Sequence, residues 1–342
     1  MKAFSKTICM LLTLCAVSAS AQVSNYTFAK ETGQPWDITN YPDVTITNHT
    51  VADDVVAPYR IAIPFPFMFN GVVYDSVNIS ENGFIWFGPE TEDVMSFITQ
   101  PISAGHNSNV KGIVAAMGGD LHPHVNTGLT TTIKSGLIGV APMRQLMIEW
   151  KNTSRFNSLG DVAGEDTLTF HIMLYEFMNR VEVAYRDAKL NPNIITDMEI
   201  GLRGAVATDF NNRMTDATHN WQNSAKGTSV GSVCELQTTI KPEFGDMYVW
   251  MNLNQNPNSV EETAGNVVKA YPVPAKEALF IETVSNSAQE IVIYNAAGQL
   301  LKTQSTDGNV TQVALDGLPA GLYVYAVQSS QGIHTGRFSI VK

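Results

Sequence analysis

The sequence predicts an all-β protein: a large antiparallel β-sandwich or jelly-roll domain followed by a small immunoglobulin-like β-sandwich. Three observations point there. Charged residues make up 15% of the 342 residues and apolar ones 44%, against roughly 25% charge in an average globular chain. Leu168, Phe170, Ile172 and Leu174 alternate with Thr169, His171 and Met173, the two-residue period of a half-buried strand. No segment sustains a helical period, and short strand-like runs are separated by Gly, Asn and Pro, as in sandwiches and jelly rolls.

From the N-terminus, Lys2 and Lys6 flank a short basic region, Ile8 to Val17 is apolar, and Ala19-Ser20-Ala21 precedes Gln22. Residues 1–21 therefore read as a signal peptide whose apolar run is too short to span a bilayer. The formal net charge is −11, and removing the leader takes two lysines and no carboxylate, leaving −13. So acidic a chain, without a basic cluster, argues against nucleic acid and anionic lipid as partners. Cys9 and Cys15 leave with the leader, so Cys234 stands alone and no internal disulfide can form. Cys234 reads as a buried structural thiol.

Residues 22–254 form the predicted working domain. Strands are expected at Val72 to Ser80, Phe84 to Phe87, Ile113 to Met117, Gln145 to Trp150, Met198 to Arg203 and Asp246 to Leu253. Leu168 to Leu174 and Val181 to Tyr185 read as a hairpin turned at Met178-Asn179-Arg180. The polar stretch Asn252 to Asn266, with Pro257, places a linker at 255–267. Residues 268–342 follow as a second unit. Its expected strands are Ala278 to Thr283, Glu290 to Tyr294, Gln299 to Thr303, Val310 to Leu315, Gly321 to Gln328 and Ile333 to Val341, with turns at Ala297-Gly298 and Asp307-Gly308.

Four motifs occur in order within that unit: "AYPVPAKEALFIE", "VIYNAAGQLL", "LDGLPAGLYVYAV" and the final "RFSIVK". Together they closely resemble the C-terminal sorting domain of the type IX secretion system of Bacteroidota. The motif positions are Tyr271, Pro272, Pro274, Tyr294, Gly298, Pro319, Gly321, Tyr323 and Lys342; Val273 departs from the Asn often found there. The resemblance implies export through the periplasm to the outer surface or medium. It also implies as partners the type IX translocon and its sortase, cleavage in the linker, and either release or attachment to anionic lipopolysaccharide. Such a signal is an address and not an anchor. Residues 26–254, with "IPFPFMFNGVVYDSVNISENGFIWFG", "QLMIEWKN" and "IGLRGAVATDFNNR", resemble nidogen-like β-sandwich domains of secreted Bacteroidota proteins. That resemblance transfers no catalytic residues.

Several constellations could carry chemistry. Asp120, His122 and His124 are the metal candidate, because His-x-His on a strand points both imidazoles to one side. Pro123 interrupts that strand, and no fourth ligand is identifiable. Asp209, Asn211, Asn212 and Asp216 offer oxygens to a structural calcium ion, the one cofactor candidate, but lack helix–loop–helix spacing. Gly227 to Gly231 match nucleophile-elbow spacing around Ser229, yet strand-like sequence follows where a helix is required. Glu90, Glu92, Asp93, Glu149 and Glu182 are the carboxylates a glycosidase could use. Of Trp36, Trp86, Trp150, Trp221 and Trp250, Trp221 lies in a polar loop and is the best placed for a sugar. The expected function is a non-enzymatic, adhesin-like module binding an extracellular protein or glycan. The alternatives are a secreted hydrolase and a structural surface component.

Overall fold

A computed structural model describes residues 22–33, 37–40, 45–49, 59–88, 99–103, 112–124, 129–139, 141, 144–156, 166–176, 179–252, 268–283, 289–295, 300–306, 308–329 and 332–342. The predicted leader at 1–21 and linker at 255–267, together with Trp36, Glu90, Glu92, Asp93 and Gly298, lie outside the described residues.

Sixteen strands build the first part of the described chain. They are β1 (Thr27–Thr32), β2 (Ile46–His49), β3 (Tyr59–Phe69), β4 (Val72–Ser80), β5 (Phe84–Phe87), β6 (Gly112–Gly118), β7 (Leu121–Pro123) and β8 (Thr132–Ile138). The chain continues through β9 (Gln145–Arg155), β10 (Thr167–Tyr175), β11 (Val181–Lys189), β12 (Thr196–Arg203), β13 (Phe210–Met214), β14 (Ala225–Lys226), β15 (Cys234–Leu236) and β16 (Asp246–Met251). One sheet runs β1-β16-β11-β10-β9-β8-β2 with β7 beside β9; the other runs β14-β13-β12-β6-β5-β4-β3 with β15 beside β12. Every pairing within them is antiparallel. Ile148, Trp150, Phe170, Ile172 and Trp250 of the first sheet share one buried core with Phe67, Ile79, Phe87, Val114 and Leu202 of the second. That shared core makes the body a sandwich.

Two features of the body correct the expectation drawn from sequence. The run Leu168 to Leu174 is not half-buried, because Thr169, His171 and Met173 on its second face are buried as well. A segment of the same domain covers that face: Ile38 packs with Ile138, Met147 and Met173, and Ile46 of β2 packs against them. The second feature is β3, absent from the predicted strands. Its Pro64 and Pro66 have no N–H to give a ladder, so the strand is tolerable only at a sheet edge. β3 occupies that edge, both prolines face solvent, and its register against β4 shifts between Ala62 and Phe67. Asn70 and Gly71, both at positive φ (52° and 79°), close the β3–β4 hairpin in the two-residue turn that this twist favours.

The terminal part has seven described strands: β17 (Lys269–Tyr271), β18 (Ala278–Glu282), β19 (Gln289–Asn295), β20 (Leu300–Thr306), β21 (Val310–Ala314), β22 (Gly321–Ser329) and β23 (Gly332–Ile340). They form a three-stranded sheet, β17-β18-β21, and a four-stranded one, β20-β19-β22-β23. Leu279, Ile281 and Val313 of the first pack on Ile291, Ile293, Tyr323, Tyr325 and Phe338 of the second. No α-helix occurs among the described residues of either part, and none of their helices is long and apolar enough to cross a membrane.

Candidate functional site

The described motif residues of the terminal domain gather toward one end of its sandwich. Ile340, the last residue of β23, pairs with Gly321 on one side and bridges in parallel to Ala275 on the other. The Ala275 amide donates to the Ser339 carbonyl at 2.7 Å, and the Val341 amide donates to Ala275 at 2.9 Å. These bonds stitch the segment after Pro272 and Pro274 to the last strand. At the same end Tyr294 faces Val324 and Asn295 faces Tyr323 across the β19–β22 ladder. Tyr323 is buried on Phe338, with ring centroids 5.5 Å apart, and its hydroxyl donates to the Pro319 carbonyl at 2.6 Å. Tyr271 lies over Phe280 at 5.9 Å. Tyr271, Val273, Leu322 and Val341 stay exposed beside Pro272, Pro274, Pro319 and Lys342. Such a surface exists only once both ends of the domain have folded together, which suits it to recognition as a shape.

The body's metal candidates are used differently. Asp120 is exposed, and its carbonyl accepts from the Phe156 amide at 2.9 Å. His122 Nε2 lies 3.1 Å from the Arg155 carbonyl, and its ring meets exposed Phe156 edge-on at 6.1 Å. Burial and the neighbouring His122 hold the His124 imidazole below its ordinary pKa, against the opposing pull of Asp166. Asp209 accepts from the Ser24 amide at 2.9 Å. Asn211 donates to the carbonyls of Val23 and Tyr26 and accepts from the Trp250 indole. Both therefore pin the N-terminal segment to β13. Asp216 lies beyond the other end of that strand, roughly 20 Å away at about 3.3 Å per residue, where it caps its own turn through the Thr218 and His219 amides. The structure does not bring Asp216 together with Asp209, Asn211 and Asn212. Among the described residues, no group of three or more His, Cys, Asp and Glu is arranged to hold a metal ion.

The densest set of titratable groups is one that periodicity concealed. Glu149 and His171 are direct cross-strand partners on the covered second face of the first sheet, and Glu182 stands on the next strand. The His171 ring nitrogen lies 3.9 Å from Glu182, while Arg180 reaches Glu182 at 2.6 Å and Glu31 at 3.1 Å. The Tyr175 hydroxyl donates to Glu182 at 2.8 Å. Burial alone would raise the Glu182 carboxyl, but His171 and Arg180 outweigh it and bring it down to about 2. Glu149 goes the other way: burial, reinforced by Asp37, pushes its carboxyl up. Its Oε2 accepts from the Ile38 amide at 3.4 Å and its Oε1 has no hydrogen-bond partner. Glu149, His171 and Glu182 are each no more than 2% exposed. Their chemistry is that of a buried structural network, tied to Ile38 through Glu149 and to β1 through Arg180 and Glu31.

Deeper still, Arg155 is wholly buried. It forks onto Asp166 at 2.5 and 3.1 Å and donates to the carbonyls of Ile194 and Leu236 at 2.9 and 2.7 Å. Trp221, read from its polar neighbours as a surface aromatic, is fully buried. Its indole donates to the Glu235 carbonyl and its ring packs against Tyr185. Ser229 has Ser232 at 3.4 Å as its side-chain neighbour, and the strand β15 follows, not a helix. Cys234 lies in the core, where burial drives its thiol far above the ordinary value.

A β-sandwich body followed by a second sandwich that gathers its motifs at one end defines a class: exported cargo carrying a folded address. The family comparisons agree. A model described as "NIDO related" matches residues 25–252, and the chain belongs to that family. Residues 269–342 match the secretion system C-terminal sorting domain, which marks proteins exported by the type IX system to the cell surface or the extracellular space. No curated protein matches the chain.

Proposed function

We propose that the body is a non-enzymatic binding module, adhesin-like in action, that meets an extracellular protein or glycan after export. The terminal domain is read by the translocon and its sortase, cut off within 255–267, and the body is then released or joined to anionic lipopolysaccharide. The observation that carries the binding reading is the division of the body's side chains. Its converging titratable groups, Glu149, His171 and Glu182, are buried away from solvent, with Glu149 bonded to the Ile38 amide. At one end of the sandwich, by contrast, Phe156, exposed at 46%, stands against the partly exposed His122, and Ile195, exposed at 62%, follows the Ile194 carbonyl that Arg155 binds. The Arg155 guanidinium, bonded to the Ile194 carbonyl, holds the two loops in place. An exposed aromatic flanked by a polar ring is the sort of anchor that protein and sugar ligands use.

The test is binding of the purified mature chain to panels of extracellular-matrix proteins and glycans, with the Phe156→Ala/Ile195→Ser variant alongside. Saturable binding weakened at least tenfold in the variant is the expected result. Turnover of polysaccharide or peptide substrates without a saturable binding partner would replace this reading with a hydrolase.

A further inference from the structure

The two inner strands of the terminal domain's four-stranded sheet, β19 and β22, are apolar on both faces over their central residues. In β19 and β22, Ile291, Ile293, Tyr323, Tyr325 and Val327 point into the domain's own core. The alternate residues Val292, Tyr294, Val324 and Ala326 point the other way, and in a domain standing alone they would meet water. They are instead no more than 5% exposed. The cross-strand pairs Val292–Ala326 and Tyr294–Val324 set these four side chains side by side in one patch. The other sheet offers a contrast: on β21, Val310, Gln312 and Ala314 of the second face are exposed. Burial of a second face is therefore a property of one sheet and not of the domain as a whole.

Met251, the last residue of β16 in the body, belongs to the same buried apolar cluster as these four residues. It points away from the body's core, opposite to its neighbour Trp250, which belongs to that core. Arg180, at the start of β11, which is the strand beside β16, lies close enough for its charge to act on the Tyr294 hydroxyl. The two domains thus meet through the second face of one sheet on each side. The sequence alone supports the same conclusion. "IVIY" and "YVYAV" are unbroken apolar runs where a strand with one wet face would alternate.

We propose that the terminal domain is docked on the body of its own chain through Val292, Tyr294, Val324 and Ala326, with Met251 as the body's contact. This contact holds the two domains together after the connecting segment is cut. Severing the linker is then insufficient for release, and the agent that removes the domain must also displace this apolar face.

The experiment introduces a specific protease site between residues 255 and 267 of the full chain, cuts it, and follows the two pieces by size exclusion and sedimentation over a dilution series. The expected result is co-elution at micromolar concentration, with association at least tenfold weaker in Val324→Asp and in Met251→Asp. The two substitutions probe the contact from opposite domains, so a folding defect in one does not explain a loss seen in both. Uncut variants with unchanged thermal transitions supply the folding control. Separation of the unmutated cut pieces at every concentration overturns the proposal. So does co-elution that neither substitution weakens, since the pieces would then be held by another surface.

Discussion

On the body, the second face of the first sheet carries the titratable groups Glu149, His171, Glu182 and Arg180, with Ile38 of the same domain packed on Met147 and Met173 beside them. On the terminal domain, the second face of the four-stranded sheet carries Val292, Tyr294, Val324 and Ala326 beneath Met251. The contrast extends inward. The body buries Arg155, Asp166, Glu176, Glu199, Arg203 and Arg213, whereas no Asp, Glu, Lys or Arg is buried among the described residues of 268–342. A buried ion pair is costly to form and costlier to half-remove, so it fixes one arrangement. An apolar face makes no such demand on its partner and can separate and be covered again. The body's ion pairs hold one arrangement, and the apolar face of the terminal domain fits the proposal that this domain can be taken away.

The strongest attempt to break this contrast is Asp166→Ala. It strands the Arg155 guanidinium in the core, and loss of one partner of a buried pair costs about 3–5 kcal/mol. All five tryptophans precede residue 268, so tryptophan fluorescence in urea reports the body alone. The body's midpoint should fall while amide-exchange protection of β22 and β23 in the terminal domain holds its place. Coincident loss of both would show that the domains do not unfold separately.

Acid should separate them next. Glu182 sits at about 2 in the folded body against an ordinary 4.5. A depressed carboxyl stabilises the fold above the unfolded value and loses that contribution as pH falls through the folded one. The difference corresponds to roughly 3 kcal/mol, surrendered between pH 4.5 and 2. Asp37 acts in the same direction: burial raises it, but Thr39 and Arg186 prevail and hold it low. Glu149 and Glu199, raised by burial, act in the opposite sense. Glu182→Gln isolates the effect, since its stability should change less between pH 5 and 2 than that of the unmutated chain. An unaltered slope would remove Glu182 from the account.

Glu149 gives a smaller effect of opposite sign. Between 4.5 and its raised folded value, the folded state holds a proton that the unfolded state has lost, so stability falls as pH rises. Glu149→Gln removes that penalty and should stabilise the body by about 1 kcal/mol at pH 7, with little change at pH 4. The check is the urea midpoint at the two pH values. A midpoint lowered at pH 7 would mean that the carboxylate, with Lys151 and His171 nearby, is a net stabiliser.

Much of this architecture was legible in the sequence. Val72–Ser80 and Phe84–Phe87 have the predicted bounds, and the hairpin around Asn179 is present. Short-range pattern decides those elements. The edge strand β3 was hidden because Pro64 and Pro66 usually argue against a strand, and only its edge position removes the objection. His171 and Glu182 looked like solvent-facing members of alternating strands. That Ile38, more than a hundred residues earlier, returns to pack on Met173 of the same face is tertiary information that no local period contains. Trp221 misled for the same reason: its sequence neighbours are polar, but its spatial ones, Tyr185 and Tyr248, are not. The sorting motifs were readable as strings. Their convergence rests on the Ala275–Ile340 bridge, whose partners lie at opposite ends of the domain.

The finest test of the contrast lies at that convergence. Tyr323 is the one motif tyrosine whose ring is in the terminal core while its hydroxyl is bonded within the motif, to Pro319. Tyr323→Phe keeps the ring on Phe338 and removes only the hydroxyl. Pro319 is exposed, so water can replace the lost donor and the cost should stay near the usual net value of about 1 kcal/mol. Amide hydrogen exchange resolved to β22 and β23 reads that change within the terminal domain alone. Export should persist, because Tyr271, Val273, Leu322 and Val341 keep their places on the surface. If Tyr323→Phe instead abolishes export while costing so little stability, the hydroxyl and the Pro319 turn belong to the recognised surface itself, and the address extends inward from the exposed end.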